Sequence, residues 1–348
     1  MRTLVRALFI LILIFLTYTF FIRFNEEPPE KRQPGESPEI SSQKEAGNAM
    51  KMPKSGLFSF IGKSSEGVKK SLGSPARKEP SKYDYDWWIY NQDPEKYLQV
   101  GIQNGIVVTV YAIGKNINLK PFNIGQPVGE VFKEAPISSS LSLDYKGSAY
   151  KFELTEEDMN TRPSVKMKDM ILQLYFDKFD GTLSSVRAMD KETFIKQRPY
   201  EVVYRGSLLT PAELKKDKEL KIEKAAENQI FDITNVIRNQ HGLESLSNDK
   251  NVSGIAYLHS KDMKNNQYFA HDSPTEGGLA DRLSKGSIQY ASAGENIAAH
   301  YTDAIASVEG WLNSKGHREA MLNADFTHLG VGVYGDYYTQ DYVKYWNQ

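Results

Sequence analysis

The sequence predicts an α+β protein in two parts: a C-terminal three-layer α/β/α sandwich and a smaller, duplicated α+β domain before it. Apolar residues recur at helical spacing in three segments between Ile222 and Leu312, and strand-like tracts follow at 329–334 and 338–346. Helices followed by short strands are typical of helices layered on a sheet. A sequence repeat upstream of these segments predicts the duplicated domain.

Each of the three helices shows a start or stop signal. The first contains Ile230, Ile233 and Ile237 and ends before Gly242, a residue common after helix C-termini. The second covers about 249–266, and Asp303 is placed to cap the third. These segments therefore favour helices that bury one apolar face each.

Composition excludes several kinds of chemistry. The chain has 348 residues, enough for two ordinary domains and a tail, and a net charge of −1. That balance gives no electrostatic basis for nucleic-acid binding, so we expect no nucleic-acid partner. The chain has no cysteine. Disulfides, thiolate metal ligands and thiol nucleophiles are therefore excluded.

The N-terminus predicts a signal anchor, a transmembrane helix within residues 1–24. Residues 7–22 are sixteen uncharged, mostly apolar residues, with Arg2 and Arg6 before them and Arg23 after them. No small-residue cleavage pattern follows, so we expect the helix to be retained. The positive-inside rule places Arg2 and Arg6 in the cytoplasm. The sequence thus predicts a single-pass protein of the cell membrane, with the bulk of the chain extracytoplasmic.

A disordered linker is predicted at residues 25–56, which are rich in Glu, Lys, Pro, Ser and Gln and poor in large apolar side chains. Residues 57–206 contain the repeat, and this segment has no histidine. We expect two α+β repeats there and assign them a binding or spacing role. The charged stretch at 207–224 predicts a linker helix, opened by a capping signal at Thr210-Pro211.

The repeat is recognised by one constant offset. Three residue pairs lie 63 positions apart, namely Gly62 with Gly125, Val68 with Val131, and Lys70 with Lys133. Each copy then continues with a proline, an aromatic strand-like tract and a β-rich segment. This order predicts a short helix followed by a small antiparallel meander, formed twice.

The last segment, 225–348, contains an ordered series of motifs. In chain order they are Asn235, Arg238 and His241-Gly242-Leu243; Ala256, His259, Ser260 and Asp262-Met263; Tyr268-Phe269-Ala270-His271; Gly294-Glu295-Asn296-Ile297-Ala298; Trp311 with Ser314; Gly316-His317-Arg318; Asn323; and Leu329-Gly330-Val331-Gly332. Over about 120 residues, this series resembles the bacterial branch of the CAP superfamily (cysteine-rich secretory, antigen 5 and pathogenesis-related proteins, with an SCP-like domain). Residues 57–206 likewise resemble the CAP-associated N-terminal domain of membrane-anchored proteins in Gram-positive bacteria.

The resemblance implies a cleft with two histidines and two acidic residues. Transferred motif by motif, three of these positions are His271, Glu295 and His317, whereas the second acid is replaced by Ser314. Asn296 is a further candidate for ligand binding. Two imidazoles and one carboxylate are suitable ligands for a divalent cation such as zinc, with a position left open for water.

Structural roles compete with these assignments. We expect His259 to be a hydrogen-bonded core histidine, and His241 to serve the C-terminus of the first helix. Glu295 has an alternative role as a buried carboxylate that accepts backbone N–H bonds and fixes a loop. Trp311 is expected in the core, and Arg318 to pair with a carboxylate or cap a helix end.

Three functions are compatible with these residues. The favoured one is a binding module at the cell envelope, whose cleft accepts a lipid, glycan, peptide or ion. The alternative is a metal-assisted or Ser/His hydrolase acting on an envelope substrate, with Ser314 or a water as nucleophile and His317 or His271 as base. The third is an interaction protein, in which residues 57–206 bind an envelope partner.

Overall fold

The computed structural model of this chain describes residues 50–346. The predicted anchor at 1–24 and residues 25–49 of the predicted linker lie outside the described residues. The linker prediction of 25–56 extends too far, because Met50 is buried and its backbone nitrogen donates to the backbone oxygen of Lys166 at 3.0 Å. Within 50–346, no helix is both long enough and apolar enough to span a membrane.

The N-terminal domain consists mainly of antiparallel strands. Its helices are α1 (Ser65–Leu72), α2 (Val128–Glu134), α3 (Glu156–Thr161) and α4 (Lys191–Gln197), with 3₁₀ turns at Leu57–Phe60 and Pro94–Lys96. Its strands are β1 (Arg77–Pro80), β2 (Asp86–Tyr90), β3 (Leu98–Gln103), β4 (Ile106–Ala112), β5 (Ser140–Tyr145), β6 (Ser148–Glu153), β7 (Ser164–Met167), β8 (Met170–Asp177), β9 (Thr182–Asp190) and β10 (Glu201–Arg205). They form a seven-stranded sheet in the order β1-β2-β3-β4-β9-β8-β7 and a three-stranded sheet in the order β10-β6-β5.

The predicted duplication is present in the order of the elements. Helices α1 and α2 begin at Ser65 and Val128, which are 63 residues apart. Strands β1–β4 follow α1, and β5–β8 follow α2 at a similar offset, whereas β9 and β10 have no counterpart in the first copy. The two copies pair differently, however. All four strands of the first copy lie in the large sheet. In the second copy, β5 and β6 lie instead in the three-stranded sheet, where β6 pairs with β10. The repeat thus predicts the elements correctly but not which strands pair.

The C-terminal domain has five helices and four strands within the described residues. Its helices are α5 (Lys216–Gln240), α6 (Lys250–Asn265), α7 (Leu279–Lys285), α8 (Ala304–Leu312) and α9 (Lys315–Met321). Its strands are β11 (Ser247–Asn248), β12 (Ser292–Ala299), β13 (His328–Tyr334) and β14 (Tyr337–Lys344), in the sheet order β11-β13-β14-β12.

Strand β13 shows why the domain has three layers. Its Leu329, Val331 and Val333 pack with α5 and α8 in one core cluster. The alternate residues face α6, and a Cβ atom on Gly332 would lie 1.9 Å from the backbone nitrogen of Tyr257. Because glycine has no Cβ, α6 can approach the sheet directly. Helices therefore cover both faces of the sheet, and the predicted α/β/α sandwich is confirmed.

The predicted linker helix at 207–224 is wrong in its first half. No helix begins at Thr210; the chain is irregular until Lys216, and α5 then continues unbroken into the predicted first helix. One cause is a tertiary bond, because the backbone N–H of Ala212 donates to the Asp84 carboxylate at 3.0 Å. Helices α7 and α9 and strand β12 had no predicted counterpart, since elements of seven or eight residues show little periodicity.

The two domains share one apolar core. Side chains from the N-terminal domain, including Tyr85 and Trp87, lie in the same cluster as Ile233, Val308 and Trp311 of the C-terminal domain. Polar contacts add to this interface, such as the bond from Tyr83 Oη to the backbone oxygen of Thr302 at 2.9 Å. The domains therefore form a single packed unit.

Candidate functional site

The structure places His271 and Glu295 in direct contact, with His317 near them. Glu295 lies on β12, His271 in the loop between α6 and α7, and His317 on α9. The Nδ1 atom of His271 is 2.8 Å from Glu295 Oε1. Burial, and then the charge of His271, lower the pKa of His317, and the second effect indicates that the two imidazoles are close.

Two backbone contacts hold the elements of this cleft together. Asn296, the residue after Glu295, is buried, and its Nδ2 donates to the backbone oxygen of His317 at 3.0 Å. Arg282, on α7, donates from Nη1 to the backbone oxygen of His271 at 2.8 Å. Through Nδ2 the side chain of Asn296 thus joins α9 to β12, while its Oδ1 atom has no hydrogen-bond partner among the described residues.

Glu295 is an almost fully buried carboxylate between positive groups. Its side chain is 3% exposed, and Arg282 Nη2 donates to its Oε2 atom. Burial acts to raise the pKa of Glu295, but the hydrogen bond from His271 and the charges of Arg282 and His259 outweigh burial and lower it. Glu295 is therefore ionised and accepts from side chains; neither bond is the backbone N–H contact considered for a loop-fixing role.

Asp341 is a second buried acid that sequence reasoning missed. It lies on β14 directly opposite Glu295 and is fully buried. Burial, and then the charge of Glu295, raise the pKa of Asp341 well above its ordinary value. The pair therefore holds one proton, which Asp341 keeps. Neither Asp341 oxygen makes a hydrogen bond of ordinary geometry among the described residues. A polar run at Thr339-Gln340-Asp341 in an otherwise apolar strand was the signal available in the sequence.

The two imidazoles of the cleft have pKa values shifted in opposite directions. The hydrogen bond to Glu295 raises the pKa of His271, whose side chain is 55% exposed. Burial, followed by the charge of His271, lowers the pKa of His317. Near neutral pH the cleft thus presents a more readily protonated imidazole beside a neutral one, and opposite shifts of this kind separate acid and base roles.

Ser314 does not form a nucleophile–base pair in this conformation. It is the residue before α9, and its backbone oxygen accepts from Arg318 N at 2.8 Å. Among residues 50–346, its hydroxyl makes no hydrogen bond to His271 or His317. The contact that a Ser/His hydrolase requires is therefore absent from the described structure.

A different group of residues has its possible metal-ligand atoms closer together than those of His271, Glu295 and His317. Within 50–346, the group whose ligand atoms all lie within 4.8 Å of one another is Asp177, Asp180 and His241. Arg318 pairs with both of these carboxylates, at 2.5 and 2.9 Å, so its guanidinium already offsets one of the two negative charges of that group. In the cleft, His271 Nε2 and the ring of His317 are the atoms that could bind a metal ion, with Glu295 orienting His271 from outside.

The other predicted histidines have structural environments. His259 is buried, and burial lowers its pKa. Its Nε2 atom lies 3.8 Å from Glu295 Oε2, and neither ring nitrogen makes a hydrogen bond of ordinary geometry among the described residues. The expected hydrogen-bonded core histidine is thus in the core without that bond. His241 caps α5, with Nδ1 2.8 Å from the Ile237 oxygen. A cavity of about 480 Å³ adjoins His259 and Arg282 but is not lined by His271 or His317.

Comparison with family models assigns both domains. The CAP-associated N-terminal model matches residues 61–200, and the cysteine-rich secretory protein family model, CAP, matches residues 231–347. The first match covers both repeats, and the second covers the cleft.

Relatives and solved structures agree with these matches. The chain is 51% identical over 347 residues to the uncharacterized membrane protein YlbC of Bacillus subtilis, covering 99% of this chain and 100% of that one. A crystal structure of an extracellular SCP-domain protein from Bacillus anthracis superposes with a TM-score of 0.80 at 42% identity, covering 91% of this chain and 100% of that one. A cysteine-rich secretory protein from Staphylococcus aureus superposes with a TM-score of 0.76 at 26% identity, covering 85% and 95%. The whole two-domain arrangement is therefore shared.

Proposed function

Because this chain belongs to the cysteine-rich secretory protein (CAP) family and carries the CAP-associated N-terminal domain, we propose that it is a membrane-anchored, extracytoplasmic binding protein. Its ligand-binding cleft contains His271, Glu295 and His317. The name of the 51% identical relative as a membrane protein supports the anchor, and the 42% identical structure is described as extracellular. The uncharged run at 7–22 supplies the anchor.

One observation carries the binding role: a neutral imidazole lies beside one that is hydrogen-bonded to a buried carboxylate. His317 has a lowered pKa, and no hydrogen bond to its ring is present among the described residues. His271 is bonded through Nδ1 to Glu295, which leaves Nε2 facing away from that bond. Such groups, preorganised and partly exposed, bind a ligand without prior rearrangement.

The ligand class that these atoms fit best is a divalent cation such as zinc. A zinc-binding histidine commonly donates its other ring N–H to a carboxylate, which fixes the tautomer and the ring orientation. The contact between His271 and Glu295 has this form. A site with two imidazole ligands leaves positions for water or for an oxygen of a further ligand. Ser314 lacks the contact to an imidazole that the alternative, a Ser/His hydrolase, needs.

Zinc is expected to raise the melting temperature of the full-length chain in detergent, and a chelator should reverse the rise. At a free zinc concentration of about 100 times Kd, the gain is about 2.7 kcal/mol. The effect should weaken as the pH falls through the raised pKa of His271, because zinc and the proton compete for that imidazole. Differential scanning calorimetry at two pH values measures both effects.

The control for this experiment uses a histidine outside the cleft. The double variant His271→Ala, His317→Ala should lose the zinc effect. His300→Ala should keep it, since His300 is 71% exposed and pairs with Asp336. A zinc effect that survives in the double variant, or no zinc effect on the wild-type chain at pH 8, contradicts the proposed site.

The membrane topology can be tested with single cysteines, because the chain has none of its own. Lys133→Cys, at an exposed position of α2, should react in intact cells with a maleimide that does not cross membranes. Thr3→Cys, on the expected cytoplasmic side, should react only after lysis. Labelling of both sites only after lysis would rule out the extracytoplasmic location.

A further inference from the structure

The junction between α8 and α9, which precedes His317, is held by the N-terminal domain. Asn313 in this junction is almost fully buried. Its Nδ2 donates to the backbone oxygen of Phe176 at 2.7 Å, and its Oδ1 accepts from the backbone nitrogen of Lys178 at 2.9 Å. Both polar atoms of Asn313 are therefore bonded to the hairpin that joins β8 to β9.

Arg318, the residue after His317, is held by the same hairpin. Its Nη1 lies 2.5 Å from Asp177 Oδ2, and its Nη2 lies 2.9 Å from Asp180 Oδ1. The guanidinium also stands over the ring of Phe179, 5.2 Å from its centroid. The side chains of Arg318 and Asp177 are only 12% and 4% exposed, so solvent screens this pair much less than a surface ion pair.

The orientation of the Asp177 carboxylate is fixed by the hairpin itself, independently of Arg318. Its Oδ1 atom accepts from the backbone nitrogens of Phe179 and Asp180, at 2.9 and 3.1 Å. One oxygen thus closes the hairpin turn while the other binds the arginine. The carboxylate offers a rigid attachment point, since its orientation does not depend on Arg318.

Helix α9 depends on such outside contacts. It has seven residues, and helices this short are not stable on their own in water. On one side the backbone of His317 is bonded to Asn296 of β12, and on the other Arg318 is bonded to the hairpin. The position of the His317 ring is therefore set by two contacts, one from each domain.

We infer that the β8–β9 hairpin of the N-terminal domain positions His317 in the cleft, acting through Asp177 and Arg318. The N-terminal domain is then part of the cleft's construction as well as a spacer, and a displacement of the hairpin by a partner would alter the cleft. Asp177 is a positioning residue, since it contacts neither imidazole. The consequence for ligand binding rests on the proposed function; the consequence for the imidazole does not.

The test uses Asp177→Asn, which keeps the size of the side chain and removes its charge, in the full-length chain with isotope-labelled histidine. NMR titration should show the pKa of His317 moving up toward its ordinary value, because α9 moves and exposes the ring. The pKa of His271, set first by Glu295, should stay raised. Zinc affinity should fall about tenfold, the lower end for loss of a group that orients a metal ligand.

Lys178→Ala is the matched control in the same hairpin. The Lys178 side chain forms an exposed pair with Glu157 at 3.0 Å, and the substitution keeps the backbone nitrogen that binds Asn313. This variant should leave the pKa of both imidazoles unchanged.

Phe179→Ala, which removes an exposed ring under Arg318, is a milder second variant and should shift the pKa of His317 in the same direction as Asp177→Asn.

The outcomes separate this inference from the proposed function. If Asp177→Asn lowers the melting temperature but leaves the pKa of His317 unchanged, Asp177 is only structural and the inference is wrong. If Asp177→Asn does not fold, Phe179→Ala decides by the same measurement. If zinc has no effect on the wild-type chain but the pKa of His317 shifts in the variants, the positioning role holds and the proposed ligand does not.

Discussion

Arg187→Ala is expected to destabilise the folded chain by about 3–5 kcal/mol, the range for removing one partner of a buried ion pair. The Arg187 side chain is fully buried on β9, and its Nη1 lies 2.6 Å from Asp303 Oδ2. Its Nη2 donates to Tyr85 Oη at 2.8 Å, and the guanidinium stands 5.3 Å from the centre of the Trp87 indole. Alanine would leave a cavity and an uncompensated carboxylate.

The position of Asp303 makes the loss of stability larger, because its carboxylate both pairs with Arg187 and caps α8. Its Oδ2 atom pairs with Arg187, and its Oδ1 atom accepts from Ala306 N as the N-cap of α8. The carboxylate is 14% exposed, so solvent cannot replace the arginine effectively. The variant therefore weakens the domain interface and the start of α8 together.

Urea unfolding at pH 7 measures the change in the free energy of unfolding. Lys146→Ala is the control, because Lys146 likewise pairs with a carboxylate, that of Glu192 at 3.0 Å, but its side chain is 69% exposed. An exposed pair contributes about 0–1 kcal/mol. A similar small loss for both variants would show that burial of the Arg187–Asp303 pair has no stabilising consequence.

Local sequence signals predicted the long elements of the fold and missed the short ones. Helix α6 has an aspartate N-cap and an apolar face over sixteen residues, so periodicity identified it within one residue at each end. Helices α7 and α9, with seven residues each, offer no such pattern, and their positions depend on contacts from other elements. The failed linker helix at 207–224 has the same origin, since Asp84 lies 128 residues from the backbone nitrogen that it binds.

The site could be predicted only as far as its motifs extend. His271, Glu295 and His317 belong to short motifs, and the structure places them in one region. Arg282 and Asp341 fix the charge of Glu295 but stand in no motif. The polar run around Asp341 indicates a buried polar group, but it does not show that Glu295 lies opposite. Contacts between domains are still harder to predict, because Asp177 and Arg318 are 141 residues apart.

Glu309 predicts a pH dependence of stability that arises at the domain interface. This residue of α8 is buried, and its Oε1 atom accepts from the hydroxyl of Ser185 at 2.5 Å and from that of Ser184 at 3.2 Å. Its Oε2 atom has no hydrogen-bond partner among the described residues. Burial raises its pKa from 4.5 to about 7, against the opposing effect of the two serines.

The direction of the effect follows from the raised pKa. The folded chain keeps a proton on Glu309 that the unfolded chain releases above 4.5, so folding is favoured by this group at low pH. This contribution is fully present below 4.5 and is lost as the pH rises through about 7. At about 1.4 kcal/mol for each pH unit between the two values, the loss is about 3 kcal/mol at pH 8.

Glu309→Gln should remove this loss, because a glutamine carries no charge and keeps an oxygen for Ser184 and Ser185. We expect the variant to unfold at the same urea concentration as the wild-type chain at pH 4.5 and to be more stable by about 3 kcal/mol at pH 8. Glu130→Gln, at an exposed position of α2, should give a difference that does not change with pH. A constant difference between Glu309→Gln and the wild-type chain across this range would mean that Glu309 does not change its protonation there. Glu309 would then keep a single protonation state, either ionised or protonated, at every pH tested. Because the same carboxylate contacts strand β9 from α8, the variant also tests how strongly the two domains are joined as the pH changes.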